Sequence, residues 1–251
     1  MPQSELRLVQ YSGLQAETTM SPPCGKVHMA LRFKGLEYDV VNLGNPGQTK
    51  RYNPRGRVPV LLFGEEAVVD STDILDTLEQ RFPSPPMNPS APADLARARI
   101  WEDWADEVLY FYGAYLRWCC PENFARLKAN KLGQLPFPLR LIIPYFAKRM
   151  VHKRFHGQGV GLKSQEVVHR ELRTCLESLE TVLQDQTWLA GPEISRGDLA
   201  VAAVIDQLRV ETLTPWSAQQ VSQFPAILAW LQKVHQKAPC ASDAGPLPES
   251  S

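Results

Sequence analysis

The spacing of apolar residues over roughly the first eighty positions switches between the period of a strand and that of a helix. Leu6-Arg7-Leu8-Val9-Gln10-Tyr11 predicts a short strand, followed by a loop from Ser12 to Met20. Ser21-Pro22-Pro23 opens a helix, because proline fits a first turn, and Gly35 closes it. Val27, Ala30, Leu31 and Lys34 share one face of that helix, with Lys34 expected to snorkel. The β-rich segment Glu37 to Leu43 predicts a second strand, and Gly44 to Arg57 reads as loop with room for a short helix. Val58 to Phe63, a turn at Gly64-Glu65-Glu66 and Ala67-Val68-Val69 predict a hairpin. Ile74, Leu75 and Leu78 then mark a helix from Ser71 to Phe82. The predicted order is β-α-β-(α)-β-β-α.

The proline-rich run from Pro83 to Pro92 can continue neither helix nor sheet, so it divides the chain. Beyond it the strand alternation stops. Helical periodicity marks Ala93 to Trp118, rich in aromatics, then Gln165 to Leu183, Ser195 to Val210 and Phe224 to Gln236. The small, polar tail from Ala241 to Ser251 reads as disordered. The expected fold class is α/β plus all-α: an α/β domain over 1–83, a linker at 84–92, an all-helical bundle over 93–240 and a disordered tail at 241–251.

Composition narrows the class. Of 251 residues, 44% are apolar and 22% charged, the mix of a soluble globular chain. Lysine plus arginine equals aspartate plus glutamate at 27 each, which gives no reason to expect a nucleic-acid partner. The start, MPQSELRLVQ, lacks a basic stretch followed by an apolar one, so no secretory signal is expected. The apolar stretch Leu139 to Phe146 is too short to span a bilayer and contains Pro144. Five cysteines without paired spacing fit reduced thiols in the cytoplasm. Cys119-Cys120 has no companion cluster, and His152 and His156 have no third ligand nearby, so no metal is expected.

The charge is nonetheless uneven. No acid lies between Glu122 and Glu166, while nine lysines and arginines run from Arg126 to Lys163 beside the apolar stretch. Residues 126–163 therefore suit peripheral membrane contact, a lid, a dimer surface or a solvated basic face.

Four short features can carry chemistry, and each has a purely structural explanation beside it. A proline in a strand, as in Val58-Pro59, costs a ladder donor. If the bond is cis, Val58 can offer its backbone to an extended peptide as an added strand; otherwise this is an edge-strand proline. In Asp70-Ser71, Ser71 suits a helix N-cap, while the same helix start can take a carboxylate and Asp70 an ammonium. In Ser21-Pro22-Pro23-Cys24, a helix start stabilises a thiolate, and the Ser21 hydroxyl can donate to one. Cys24 is either a reactive thiol or a small buried residue. Ser195-x-x-Asp198 is a capping box and performs no chemistry.

In order and spacing these features resemble the glutathione-transferase superfamily. Its pattern S/C-P-x-C-x-[KR]-V-x-x-A-L is matched by Ser21-Pro22-Pro23-Cys24-Gly25-Lys26-Val27-His28-Met29-Ala30-Leu31. Asn53-Pro54-Arg55-Gly56-Arg57-Val58-Pro59-Val60-Leu61, Asp70-Ser71-Thr72-Asp73-Ile74 and Ser195-Arg196-Gly197-Asp198 follow in the family's order. The resemblance is dense over 5–82, good over 165–238 and poor over 119–163. It implies a thioredoxin-like first domain with a mixed four-stranded sheet, a helical-bundle second domain, and usually a homodimer. It implies glutathione as co-substrate, with no metal: Val58 beside cis Pro59 on the cysteinyl backbone, Asp70 and Ser71 on the γ-glutamyl group, Arg57 near the glycyl carboxylate. A hydrophobic electrophile would lie between the domains, against Tyr11, Trp104, Phe111 and Tyr115; those aromatics also suit bundle core. The catalytic group stays open between Ser21, Cys24 and Tyr11. Ser21 implies activation of the glutathione thiol, Cys24 a thiol transferase or reductase, and a third reading is a non-catalytic interaction or membrane-adaptor relative. The long Ser12–Met20 loop is similar to an extension in some bacterial lignin β-etherases.

Overall fold

The computed structural model describes residues 5–44, 46–135, 137, 139–244 and 247. Strands β1 (Leu6–Gln10), β2 (Asp39–Asn42), β3 (Val60–Phe63) and β4 (Glu66–Val69) form one sheet in the order β2-β1-β3-β4. β1 runs parallel to β2 and antiparallel to β3, and β4 returns antiparallel along β3, so the sheet is mixed. A parallel neighbour needs a crossover, and α1 (Pro22–Phe33) supplies it. Gly35, at positive φ, ends α1: its amide reaches the Arg32 carbonyl and that of Leu36 the Leu31 carbonyl, a Schellman closure. After the single turn α2 (Pro46–Thr49), α3 (Ser71–Arg81) packs beside α1.

Three local expectations change. β3 begins at Val60, not Val58, since Pro59 has no amide for the ladder. The N-cap of α3 is Asp70, whose carboxylate accepts from the Thr72 amide at 3.0 Å, and Ser71 is the first helical residue. Lys34 does not snorkel. Its ammonium is buried and donates to Glu79 and to the carbonyls of Phe82 and Pro85. Glu79 also accepts the amides of Met87 and Asn88, so the proline-rich run is bound to the α/β layer rather than hanging as a tether.

Helices fill the rest. α4 (Pro92–Trp104) passes through a π-helical turn (Ala105–Leu109) into α5 (Tyr110–Cys119) without a break, where one helix was expected. The segment of poor resemblance holds α6 (Pro121–Asn130) and α7 (Leu139–Gln158), with Pro144 inside α7. Then come α8 (Gln165–Asp185), α9 (Arg196–Leu208), α10 (Pro215–Val221) and α11 (Pro225–Lys237). α9 is buried along its whole length and packs on both α1 and α4. Its capping box forms as expected: Asp198 accepts from the Ser195 amide and hydroxyl, and also from the Leu189 amide and the Trp230 indole.

The tail is a correction as far as residue 244. The Ala241 carbonyl accepts the Thr19 amide at 2.7 Å, and Asp243 accepts the Leu14 and Gln15 amides and the Thr18 hydroxyl. The expected disorder of 245–246 and 248–251 falls outside the described residues.

Candidate functional site

A cleft of about 560 Å³ opens between α5 and the end of the sheet where β1, β2 and β4 finish and β3 begins. It brings together Tyr11, Ser21, Arg57, Val58, Pro59, Asp70, Ser71 and Phe111 of the residues singled out in the sequence. Trp104 and Tyr115 lie elsewhere. Trp104 stacks edge-on against Trp101 beside Thr174, Cys175 and Ser178 of α8. Tyr115 is buried, with its hydroxyl donating to the Lys163 carbonyl. The cleft face of α4–α5 is instead Asp103, Asp106, Glu107, Tyr110, Gly113, Ala114, Arg117 and Trp118.

Ser21 is the N-cap of α1 and half-buried, with its oxygen accepting the Cys24 amide at 3.5 Å. Pro22 and Pro23 carry no N–H, and the Gly25 amide returns to the Ser21 carbonyl. The start of α1 therefore has no free amides to offer a thiolate, contrary to expectation. What remains is the Ser21 hydroxyl proton, polarised because its oxygen already accepts a hydrogen bond, and the positive end of the helix dipole. Cys24 points the other way: it is fully buried and does not line the cleft. Burial pushes its thiol up to about 12, outweighing the opposing influence of the nearby Ser21 and Thr19 side chains. Tyr11 shares a hydrogen bond with Thr49, and burial raises its pKa, so the phenol stays protonated.

Val58 and Pro59 are joined by a cis bond. Val58 lies outside the ladder, and its amide and carbonyl have no partner among the described residues. Asp70 is exposed with φ of 79°, the one non-glycine residue at positive φ among the described residues. Ser71 beside it is buried. The unpaired backbone of Val58 ahead of β3, a carboxylate, a hydroxyl at a helix start and the exposed Arg55 and Arg57 thus line one wall of the cleft.

Beneath that wall lies an ion network the sequence reading missed. Buried Lys26 of α1 donates to Glu102 at 3.0 Å and Asp106 at 2.6 Å. Arg196, the first residue of α9, pairs with Glu102 and Asp76. Burial alone would raise the Glu102 pKa, but Lys26 and Arg196 outweigh it and hold Glu102 ionised. The only early trace of this network is the basic position of the S-P-x-C-x-[KR] pattern.

The Ser12–Met20 loop closes the other end of the cleft. A bridge joins Ser12 to Thr19. Gln10 donates to the Thr18 carbonyl, Gln207 to that of Thr19, and Arg117 to that of Met20. Lys131 donates to Ser12 and to the Gly13 carbonyl.

The expectation of no metal meets one cluster of the right kind. Among the described residues, Asp206, His235 and Cys240 bring their donor atoms within 4.8 Å of one another. His235 already pairs with Asp206 at 2.8 Å. Burial opposes its charge, but Asp206 and Cys240 raise its pKa to about 9, so the group explains itself as an internal ion pair. No helix among the described residues is long and apolar enough to cross a membrane.

A mixed four-stranded sheet bearing a cis-proline cleft, closed by an all-helical layer, defines the two-domain thioredoxin-like class. Family models for the glutathione S-transferase N-terminal and C-terminal domains match residues 16–86 and 140–237. The chain belongs to the glutathione S-transferase superfamily. It is similar to LigF of Sphingobium sp. strain SYK-6, at 24% identity over 81% of this chain and 82% of that protein. The crystal structure of that protein, described as a beta-etherase, superposes with a TM-score of 0.66 at 22% identity, covering 92% and 95% of the two chains. Maize glutathione transferase GST 23 is 26% identical over 84% of this chain and 79% of its own length. A rice enzyme solved in complex with glutathione has a TM-score of 0.59 at 23% identity, over 93% and 89% of the chains.

Proposed function

We propose that this chain is a glutathione transferase in which Ser21 activates the co-substrate thiol for attack on a hydrophobic electrophile. The observation that carries the reading is the cleft itself. It joins Ser21, the unpaired Val58 edge and the Asp70-Ser71 helix start to the aromatic wall Tyr110, Phe111 and Trp118. Glutathione, when bound, supplies the sulfur nucleophile. The first 83 residues form its binding domain. Val58 takes the peptide backbone as an added strand, Ser71 and Asp70 hold the γ-glutamyl carboxylate and ammonium, and Arg57 faces the glycyl carboxylate. Ser21 keeps its proton and donates a hydrogen bond to the sulfur anion, which favours the ionised thiol. The likeness to a beta-etherase directs the first substrate screen to aryl ethers. Homodimerisation belongs to the same proposal, as does a cytosolic home, in keeping with five free cysteines.

Calorimetric titration with reduced glutathione, repeated on Ser71→Ala, tests the binding half. Micromolar to low-millimolar affinity, weakened about tenfold or more in the variant, is expected. Ser21→Ala tests the chemistry: removing one hydrogen-bond donor aimed at developing charge lowers rates by roughly 10²-fold. An unchanged conjugation rate would refute the serine role.

The disulfide-exchange alternative through Cys24 draws no support from a thiol so placed. The membrane-contact alternative has one observation in its favour. The outer face of α7 exposes Leu141, Ile142, Tyr145 and Phe146, with Arg149 and Lys153 a turn or two further on. We propose it as an added property of the enzyme, with anionic lipid as the occupant, because the segment carries cations and no acids.

A further inference from the structure

Four lysine or arginine side chains among the described residues are buried: Lys26, Lys34, Arg117 and Arg196. Three of them are neutralised. Lys26 has Glu102 and Asp106, Lys34 has Glu79, and Arg196 has Glu102 and Asp76. Among the described residues, Arg117 has no carboxylate within ion-pair distance. Its Nη1 donates to the Met20 carbonyl at 2.6 Å and its Nη2 to the Gln207 side-chain oxygen at 3.0 Å, both neutral acceptors. Its Nε is buried with no partner. A guanidinium has five N–H donors, so these two bonds leave most of them unused.

That arrangement is expensive unless something completes it. A buried charge without a counter-ion costs several kcal/mol, and a buried donor without an acceptor costs more again. The two bonds that Arg117 does make need no charge; a neutral amide could make either. Asp243 acts on Arg117 only at a distance, because its oxygens are already occupied by the Leu14 and Gln15 amides and the Thr18 hydroxyl. Burial pulls Arg117 down only to about 10, so it remains a cation at neutral pH.

Arg117 lines the cleft at the end away from Asp103, Asp106 and Glu107, roughly 15 to 20 Å along the helix axis by the rise per residue. At its own end the lining cation is Lys131, which like Arg117 binds the Ser12–Met20 loop, and α5, α6 and α7 contribute no acid to the lining. Arg154 lies over the Tyr110 and Phe111 rings, at 5.6 and 5.5 Å from their centres. Leu132, Leu135, Ile143 and Val151 supply an apolar surround. Through the Met20 carbonyl the guanidinium is also one residue from Ser21.

We infer that the electrophile pocket is built for an aromatic or other hydrophobic substrate bearing an acidic group, such as a carboxylate, which Arg117 receives. The anion supplies the counter-charge that the fold withholds, the aromatic wall covers the apolar body, and the pairing fixes the reacting carbon next to the Ser21 hydroxyl. This deepens the transferase reading and rests on it for the word substrate; the anion site itself does not.

The test therefore separates binding from turnover. Calorimetric titration with 3-nitrobenzoate and with its neutral match 3-nitrobenzamide reads the anion site without any reaction. Wild-type protein is expected to bind the carboxylate at least tenfold more tightly, and Arg117→Gln, which retains N–H donors for Met20 and Gln207, to bring the ratio near one. With glutathione present, 4-chloro-3-nitrobenzoate and 4-chloro-3-nitrobenzamide should show the same preference in kcat/KM, lost in the variant. Equal affinity for acid and amide in wild type overturns the inference with no variant needed. An Arg117→Gln that slows both electrophiles equally, and raises the pKa of the bound glutathione thiol read by its ultraviolet absorbance, also overturns it, assigning the charge to the sulfur instead. Tight carboxylate binding without any conjugation would sustain the anion site and refute the transferase reading.

Discussion

Ser21, the residue proposed to activate the thiol, sits among neighbours that leave it little competition. Two prolines remove the amides that would otherwise compete for a sulfur anion, leaving one hydroxyl to act. His28 lies within the same helix. Its ring lies buried between the Tyr38 hydroxyl at 2.6 Å and the Gln10 side chain at 2.9 Å. Burial, helped by Arg32, lowers its pKa to about 3, so the folded protein keeps it neutral. An unfolded histidine takes up its proton near pH 6.5. The folded state is therefore favoured fully above pH 6.5, and that contribution fades as pH falls toward 3. Between pH 6.5 and 5 the loss should be about 2 kcal/mol, from the shift in proton binding. Urea midpoints across that range should slope less in His28→Gln than in wild type; identical slopes would rule His28 out as the cause.

Elements were legible in the chain where burial is one-sided. α1, α3, α8 and α9 carry their apolar residues on one helical stripe or are buried throughout, and each formed close to where the spacing put it. The cleft face of α4–α5 was not legible, because the π-helical turn at 105–109 takes extra residues to complete a turn. The stripe drawn through Trp104, Phe111 and Tyr115 does not stay on one side, and only Phe111 reaches the cleft. α7 was hidden for the opposite reason. Its apolar residues face both the cleft and solvent, so no single stripe marks it, and Pro144 lies inside it. The same outward apolar face makes a test possible: sedimentation with vesicles containing phosphatidylserine should capture the wild type at low salt. Ile142→Glu together with Phe146→Glu should reduce capture at least tenfold, and wild-type protein left in the supernatant would exclude the contact.

At the scale of the whole molecule, the zero net charge conceals a deliberate internal pairing. Lys26, Glu102, Arg196 and Asp106 tie α1, α4 and α9 across the boundary between the sheet layer and the bundle. Such a pairing is invisible in sequence, because its members are some ninety residues apart and look like ordinary surface charges. The cleft-lining motifs around Ser21, Val58-Pro59 and Asp70-Ser71 were legible because each is contiguous; Arg117 was not, since nothing local in the sequence marks it as buried. Glu102→Gln leaves two buried cations sharing weaker partners and should cost about 3 kcal/mol, within the range for breaking a buried pair. Urea unfolding followed by fluorescence measures this. A loss below 0.5 kcal/mol would show that Asp106 and Asp76 suffice alone.

Residues 241–243 bear on all of this from an unexpected side. Ala241 and Asp243 fasten the loop that carries Met20, and through it the carbonyl that Arg117 holds. Some 220 positions separate Asp243 from Ser21, yet a protease clip, a truncation or a fusion partner near Cys240 would reach the cleft beside Ser21 as directly as a change in its lining. Anyone engineering this chain should put affinity tags elsewhere and treat activity lost on trimming as a disturbed loop, not a discarded tail.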